Sequence, residues 1–311
     1  MGGKMPAIIT HRLFGERAQK ELPEGLIDGE EQLLAFLLGN QGPDPFFFRF
    51  SGIPRKLHAS HELAHRMHNE HIYEAFQAMH TGVERLPVAD SRIGRAFALG
   101  MLSHYALDRT VHPYVYAQQN DLISANVDLN DAENEVHAII ESDLDCWLLW
   151  QTRKVTVQEY PPAEILICTE RIGRVAGALM SHVALTTFGI DLDVDEYPHA
   201  VNNMRQVYQL IEPADSNRNQ KIGKLERLFR RHSMLSSLAH PTQDLSADAA
   251  ANIEHFLWTN PFTGQQSNDS FNDRLKEALA DWEKLAEAFI HGGSVLANEI
   301  TGINYSGQRS Q

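Results

Sequence analysis

Apolar residues recur along almost the whole chain at steps of three and four, the spacing that places them on one face of an α-helix. The segments with this period are 27–38, 61–79, 93–111, 136–150, 163–185, 204–211, 225–238 and 271–297. The alternation typical of β-strands occurs only at 154–158, and that stretch is short. The pattern therefore predicts an all-α fold, a single compact multi-helix domain.

The breaks between these segments are rich in Gly, Pro, Asn, Asp or Ser, and they lie at 39–45, 161–162, 191–198, 212–220 and 259–270. None of them is long enough to be a convincing linker between domains. We predict one helical domain over residues 1–311. Its candidate metal ligands lie in residues 11–141, and a helical remainder, 160–303, completes the core and the pocket.

The charge of the chain argues against one class of function. The sequence has 27 Lys and Arg against 41 Asp and Glu, a net charge of −14 at pH 7. Binding to duplex nucleic acid depends on neutralising many phosphates, so we expect no duplex nucleic acid as a partner.

Three further features bear on location. Cys146 and Cys168 are too few for a disulfide framework, which favours a reducing compartment. The first residues lack the apolar region of a secretory signal. The longest apolar run, 33–38, is far below the ~20 residues that a membrane-spanning helix needs. We expect a cytoplasmic protein with at most peripheral membrane contact.

The strongest local pattern joins three potential metal ligands. His104, Asp108 and His112 follow one another at intervals of four, so on a helix they lie along one face, about one turn apart. A single His among apolar neighbours is more often a core residue with its hydrogen bonds satisfied. Three aligned ligands are harder to explain in this way, because an unpaired Asp on a buried face is costly.

A second segment has the same character. His137 and Glu141 are one helical turn apart, with Asp145 one turn further. A His and a carboxylate in this relation can grip one divalent ion, although the two acids could also belong to a solvated face. Two such helices in one chain are a stronger signal than either alone. We predict that five side chains converge in one site: His104, Asp108, His112, His137 and Glu141.

A loop and a group of histidines precede these helices. Asp44 lies between two prolines, in a turn stiff enough to hold its carboxylate in one direction, although an ordinary exposed turn Asp is the alternative. The histidines that follow cannot all share one helical face, so at most one or two of them bind metal.

Two candidates for substrate contact remain open. Phe46 begins an aromatic run that is either an apolar approach to the site or a core anchor for the loop. Arg109 lies beside the ligand face and either contacts a phosphate or forms an ordinary salt bridge.

The order of these motifs resembles the zinc-dependent phospholipase C family, whose fold is shared by single-strand-specific fungal nucleases. The residues that carry the resemblance are His11, the Gly-Pro-Asp ending at Asp44, the Met-His ending at His68, the HxxxDxxxHP run from His104 to Pro113, and the HxxxE run from His137 to Glu141. They cover about the first half of the chain. The resemblance implies an all-helical fold and a cluster of zinc ions that hydrolyses phosphodiesters.

The resemblance also implies a ligand set. One zinc ion is expected at Asp44, His68, His104 and Asp108, with Asp108 bridging toward a second ion near His11. The remaining ion is expected at His112, His137 and Glu141. Secreted members of the family use the amino group of an N-terminal Trp as a further ligand, whereas here ten residues precede His11 and no Trp is near. We therefore expect two or three zinc ions.

The implied reaction is hydrolysis of a phospholipid to diacylglycerol and a phosphorylated head group, with Asp44 orienting water or acting as general base. Mixed His and carboxylate sets suit zinc, and two ions about 3.5–4 Å apart can clamp a phosphodiester while lowering the pKa of water. A single-strand nuclease of the same fold is an alternative, since such enzymes can bind through base stacking. A non-catalytic protein whose metals only staple its helices is another. A nucleotide phosphohydrolase would explain His104 and Asp108 but not the other motifs.

Overall fold

A computed structural model describes residues 7–228, 230–242, 247–300 and 302–309. Its helices are α1 (Ile8–Ala18), α2 (Glu30–Gly39), α3 (Pro54–Asn69), α4 (Ile72–Arg85), α5 (Val88–Ala125), α6 (Glu133–Arg153), α7 (Pro162–Ile165), α8 (Glu170–Phe188), α9 (Glu196–Ile211), α10 (Asn217–Glu226), α11 (Met234–Ser237), α12 (Ala247–Ala250), α13 (Phe271–His291) and α14 (Gly293–Ile300). The strands β1 (Trp258–Thr259) and β2 (Gln266–Ser267) form an antiparallel pair. The all-α prediction is confirmed. Among these helices, none has both the length and the apolar character of a membrane-spanning segment.

Three of the predicted helices are interrupted. His71, with a left-handed φ of 54°, separates α3 from α4, and Gly292, with φ of 64°, separates α13 from α14. The segment 163–185 begins as the short α7, and α8 starts only after Thr169, whose side chain accepts the Ile172 N–H. Periodicity reports which face of a segment is buried, and it is insensitive to one residue that turns the chain.

Three other local predictions are wrong. The stretch 154–158 is not a strand, because α6 ends at Arg153, the next residue, Lys154, has a left-handed φ of 57°, and a turn follows. The break predicted at 212–220 contains the start of α10, which Ser216 caps by accepting the Asn219 N–H. The segment 225–238 is not one helix but the end of α10 and then α11, and Phe229 between them lies outside the described residues.

The chain divides into two compact units, each assembled from three separate stretches of sequence. Unit 1 contains Met1–Leu13, Val111–Ile165 and Arg205–Lys276. Unit 2 contains Phe14–Thr110, Leu166–Met204 and Glu277–Gln311. Four of the five divisions fall within helices α1, α5, α9 and α13, and the fifth follows the last residue of α7. The prediction of one domain over residues 1–311 stays a prediction.

In unit 1, α11 and α12 pack against α6, and a buried polar network ties α6 to the first turn of α1. The Asp145 carboxylate accepts the backbone N–H groups of Ile9 and Thr10 at 2.9 and 2.6 Å. Its Oδ2 also lies 3.0 Å from Nε2 of His240, whose Nδ1 is 2.6 Å from Glu212 Oε1. Because Asp145 is completely buried, these bonds replace the water it loses on folding.

In unit 2, α4 packs against α8 and α14, and α2 meets α5 at two glycines. A Cβ on Gly39 would lie 2.3 Å from the carbonyl oxygen of Phe97, and a Cβ on Gly100 would lie 2.1 Å from that of Phe36. Only glycine permits two helix backbones to approach so closely. This contact brings the end of α2, and the turn that follows it, against the middle of α5.

Candidate metal centre

Four of the predicted ligands meet in unit 2. Asp44 Oδ1 lies 3.0 Å from His68 Nε2, and Asp44 Oδ2 lies 3.8 Å from His104 Nε2. His104 Nε2 is also 3.2 Å from Asp108 Oδ2. The four side chains are buried, and they come from a 3-10 turn at Asp44–Phe48, from α3 and from α5. Three elements of the fold therefore bring two imidazoles and two carboxylates together, with Asp44 in contact with both histidines.

Three further predicted ligands meet in unit 1. Nε2 of His112 on α5 and Nε2 of His137 on α6 each lie 3.4 Å from Oε1 of Glu141. The two imidazole rings are 5.6 Å apart between centroids, and all three side chains are buried. His112 and His137 thus face one another across a shared carboxylate.

The remaining expectations concern residues of both units. His11 is buried on α1 in unit 1, and its backbone N–H donates to Ala7 O at 3.0 Å. Its predicted ion stays a prediction, and so does the convergence of His104 and Asp108 with His112, His137 and Glu141.

The histidines His68, His104 and His137 each have an oxygen at Nδ1, on the side of the ring away from the carboxylates. An oxygen acceptor at Nδ1 keeps the proton of the neutral ring on that nitrogen and leaves the Nε2 lone pair directed at the carboxylates. The acceptors are Ala64 O for His68 at 2.7 Å, Asn40 O for His104 at 3.1 Å, and Gln119 Oε1 for His137 at 2.8 Å.

The donor chemistry of both clusters fits zinc. A lone pair on Nε2 that faces a carboxylate oxygen requires a proton or a cation between them. Burial lowers the pKa of His104, but the Asp108 and Asp44 carboxylates outweigh burial and raise that pKa to about 9. Imidazole nitrogen with carboxylate oxygen is a ligand combination of zinc proteins. One set in each unit has its donor atoms within 4.8 Å of one another: His68, His104 and Asp108 in unit 2, and His112, His137 and Glu141 in unit 1.

The turn before Asp44 packs closely against the His104 ring. Gly42 has a left-handed φ of 56°, and a Cβ there would lie 2.3 Å from Cδ2 of the His104 ring. The Asn40 side chain accepts Ser103 Oγ at 2.9 Å and donates to Phe36 O at 2.9 Å. Asn40 therefore joins α2 to α5 while its own carbonyl orients His104.

The two substrate-contact candidates occupy structural positions. Phe46 is completely buried, and its ring meets that of Tyr197 edge-on at 5.4 Å, so its position supports the core-anchoring alternative. The Arg109 guanidinium forms a bidentate pair with Asp281, at 2.6 and 2.7 Å, and donates to Glu299 O at 3.0 Å. Because its donors are engaged in this way, the position of Arg109 supports the salt-bridge alternative rather than a phosphate contact.

Three residues near the ligands, Gln119, Asn40 and Tyr305, are not predicted from the sequence. The spacing of Gln119 could have indicated it, since it follows His112 by seven residues, about two turns along the same face of α5. No spacing pattern indicates Asn40 or Tyr305, because neither residue shares a helix with a ligand. Burial, and after it the Asp108 carboxylate, raises the pKa of Tyr305 well above its ordinary value, so the phenol stays protonated.

Comparison with known proteins adds one finding. A family model described as zinc-dependent phospholipase C matches residues 10–168. That span, just over half of the chain, contains every predicted ligand: His11, Asp44, His68, His104, Asp108, His112, His137 and Glu141. Searches of curated proteins and of solved structures found no match.

Proposed function

The chain belongs to the zinc-dependent phospholipase C family, and from this premise we propose that it hydrolyses a phospholipid between glycerol and phosphate. The products would be diacylglycerol and a phosphorylated head group. The reaction requires water to attack phosphorus and the glycerol oxygen to leave with a proton.

The observation that carries the proposal is the composition of the cluster in unit 1. Within the described residues this cluster offers three donors, from His112, His137 and Glu141. Structural zinc sites are closed by four protein ligands, whereas catalytic sites have three and leave one position open. The three-donor set of unit 1 therefore favours a catalytic ion at that cluster over a metal that only staples helices.

The two clusters would hold one ion each, the first at His112, His137 and Glu141 and the second at Asp44, His68, His104 and Asp108. When bound, zinc supplies Lewis-acid stabilisation of phosphate oxygens and makes water a nucleophile near neutral pH. The chain's own contribution is to orient the ligands, because Nδ1 of His68, His104 and His137 is hydrogen-bonded to an oxygen and Nε2 is thereby directed at the carboxylates. Burial of the clusters excludes bulk water and strengthens their electrostatic interactions.

Asp44 is the candidate general base. Its Oδ1 is close to His68 Nε2 at 3.0 Å, whereas its Oδ2 is 3.8 Å from His104 Nε2. The more distant oxygen is the one suited to accept a proton from attacking water. The prolines on both sides of Asp44 limit its backbone freedom and hold this direction.

The first test is elemental analysis of protein purified without added metal, followed by assays on one zinc-loaded preparation. The substrates are p-nitrophenyl phosphorylcholine and single-stranded DNA, each with and without a chelator. We expect at least two zinc ions per chain and chelator-sensitive hydrolysis of the choline ester that exceeds DNA cleavage. Asp44→Asn should lower kcat by about 100-fold or more, as loss of a general base does. The matched control is Asp191→Asn, which changes an exposed carboxylate paired with Arg55.

Three results would overturn the proposal. Faster cleavage of DNA would assign the nuclease function instead. Bound zinc without turnover of either substrate would assign the stapling role. Absence of bound zinc, together with failure to take it up on addition, would exclude a zinc enzyme of any kind.

A further inference from the structure

The segment 302–309 reaches the ligand cluster of unit 2, although it lies far outside the span that the family model matches. The Tyr305 ring is 4.8 Å from the His68 ring and 5.7 Å from the His104 ring, measured between centroids. Its backbone N–H donates to the carbonyl oxygen of His68 at 3.1 Å. Tyr305 is only 1% exposed. One residue thus contacts both imidazoles of the cluster and the backbone of one of them.

Tyr305 is held in this position from both sides. Asn304 Oδ1 accepts the backbone N–H groups of Ser306 and Gln308, each at 3.0 Å, which closes the segment into a tight turn. The Tyr105 hydroxyl on α5 donates to Ile303 O at 2.6 Å. The turn is therefore bonded to the helix that carries His104, and the position of Tyr305 does not depend on its own side chain alone.

The ring contacts add to the polar contacts of the two imidazoles. Each ring is bonded at Nδ1 to a backbone oxygen, Ala64 O or Asn40 O, and faces a carboxylate at Nε2. The Tyr305 ring lies tilted against both imidazoles, at interplanar angles of 52° and 49°. Close packing of this kind fixes side-chain orientation.

From this geometry we propose that Tyr305 is a positioning residue of the unit 2 metal cluster, acting through ring contacts that hold His68 and His104. The inference rests on the proposed binding of zinc by these two histidines. It extends the metal centre to a residue in the second half of the chain, beyond the matched span.

The test compares Tyr305→Leu, which removes the ring, with Tyr305→Phe, which keeps the ring and removes the hydroxyl. The probe is cobalt(II) in place of zinc, whose visible absorption reports ligand geometry without any need for activity. We expect the leucine variant to shift the cobalt bands and to release one ion at about tenfold lower chelator concentration, the size of effect typical for residues that support ligands. The phenylalanine variant should match the wild type in both measurements.

Two comparisons separate positioning from a general loss of stability. Tyr208→Leu removes another fully buried tyrosine ring, in unit 1, which stacks on His240. It should lower the melting temperature without moving the cobalt bands. The Tyr305→Leu effect should also persist in a Glu141→Gln background, where the ion of the other cluster is weakened.

Each other outcome counts against the proposal. Unchanged bands and affinity in Tyr305→Leu, with binding intact in the wild type, would overturn the positioning role and leave the zinc enzyme standing. Equal losses in the leucine and phenylalanine variants would assign the effect to the hydroxyl rather than the ring. A wild-type chain that takes up neither cobalt nor zinc would overturn the proposed function as well.

Discussion

Three histidines of the two clusters are oriented at Nδ1 by an oxygen that is not itself a ligand. For His68 and His104 this oxygen is a backbone carbonyl, so no side-chain substitution removes it directly. For His137 it is the amide oxygen of Gln119. Gln119 is therefore the place where orientation of a ligand can be tested by a single substitution.

Replacement of Gln119 by leucine should weaken zinc binding by the unit 1 cluster by 10- to 100-fold, because His137 loses the acceptor that selects its tautomer. Zinc affinity is measured by chelator competition. The matched control is Gln118→Leu, the next residue on α5, whose side chain donates to Ala250 O and not to a ligand. Equal affinities in the two variants would show that the Gln119 contact does not orient His137.

Gly42 offers a second test at the scale of one residue. Replacement by alanine should displace the His104 ring, since the new Cβ would lie 2.3 Å from Cδ2, and the unit 2 cluster should lose its ion. Gly25→Ala is the control, because Gly25 also has a left-handed φ, of 84°, but nothing lies within 4 Å of the added Cβ. Both variants carry the backbone strain, about 1–2 kcal/mol. Metal analysis that finds a full complement of zinc in Gly42→Ala would contradict the steric argument.

At the scale of elements, the approach of α2 to α5 decides where the Asp44 turn lies. Asn40, directly after α2, reaches Ser103 and His104 only because the helices cross at Gly39 and Gly100. The orientation of His104 therefore depends on the close crossing of the two helices. A wider crossing would separate the Asn40 carbonyl from Nδ1 of His104.

Gly100→Ala should therefore lower the free energy of unfolding by about 1–3 kcal/mol, the usual cost of overpacking, and reduce zinc content at the same time. Its Cβ would face backbone atoms of α2, which cannot move independently. Gly94→Ala on the same helix is the control, since its Cβ would meet the end of the flexible Leu86 side chain. Urea denaturation measures both variants, and equal losses of stability would refute the proposed role of the crossing.

At the scale of the whole molecule, stability at alkaline pH depends on the buried network around His240. Burial lowers the pKa of His240, but the Glu212 and Asp145 carboxylates outweigh burial and raise it to about 10. The Tyr208 ring stacks on the His240 imidazole, with 6.1 Å between the ring centroids. The charged imidazole holds together residues of α6 and of the segments that follow α9 and α11.

The direction of the pH effect follows from the raised pKa. Below about pH 6.5 His240 is protonated in both the folded and the unfolded chain, so its contribution is complete. As the pH rises toward 10, the unfolded chain gives up a proton that the folded chain retains. The free energy of unfolding then falls by at most about 1.4 kcal/mol per pH unit.

We expect His240→Gln to flatten this decline between pH 7 and 9.5 relative to the wild type, measured by urea denaturation in saturating zinc. Saturating zinc keeps the proposed ligands, including His104, from adding their own titration. His58→Gln, an exposed histidine on α3, should leave the slope unchanged. Parallel slopes for the wild type and His240→Gln would contradict the assigned protonation.

The sequence alone determined the helical class and the direction of the ligands along individual helices. His104 with Asp108, and His137 with Glu141, are neighbours because a spacing of four places side chains on one helical face whatever the helix packs against. The same spacing added His112, and the family resemblance added His68 and a ligand role for Asp44. Local rules reached this far because each of them relates residues on a single element or in a fixed order.

Only the tertiary structure decided what those side chains meet. The pairing of Arg109 with Asp281 spans 172 residues, and no spacing rule relates them. The same holds for Tyr305 against His68, for Phe46 in the core and for the breaks at His71 and Gly292. Contacts between distant residues depend on how whole elements pack together, and that packing is chosen by the sum of many weak contacts rather than by any one local pattern.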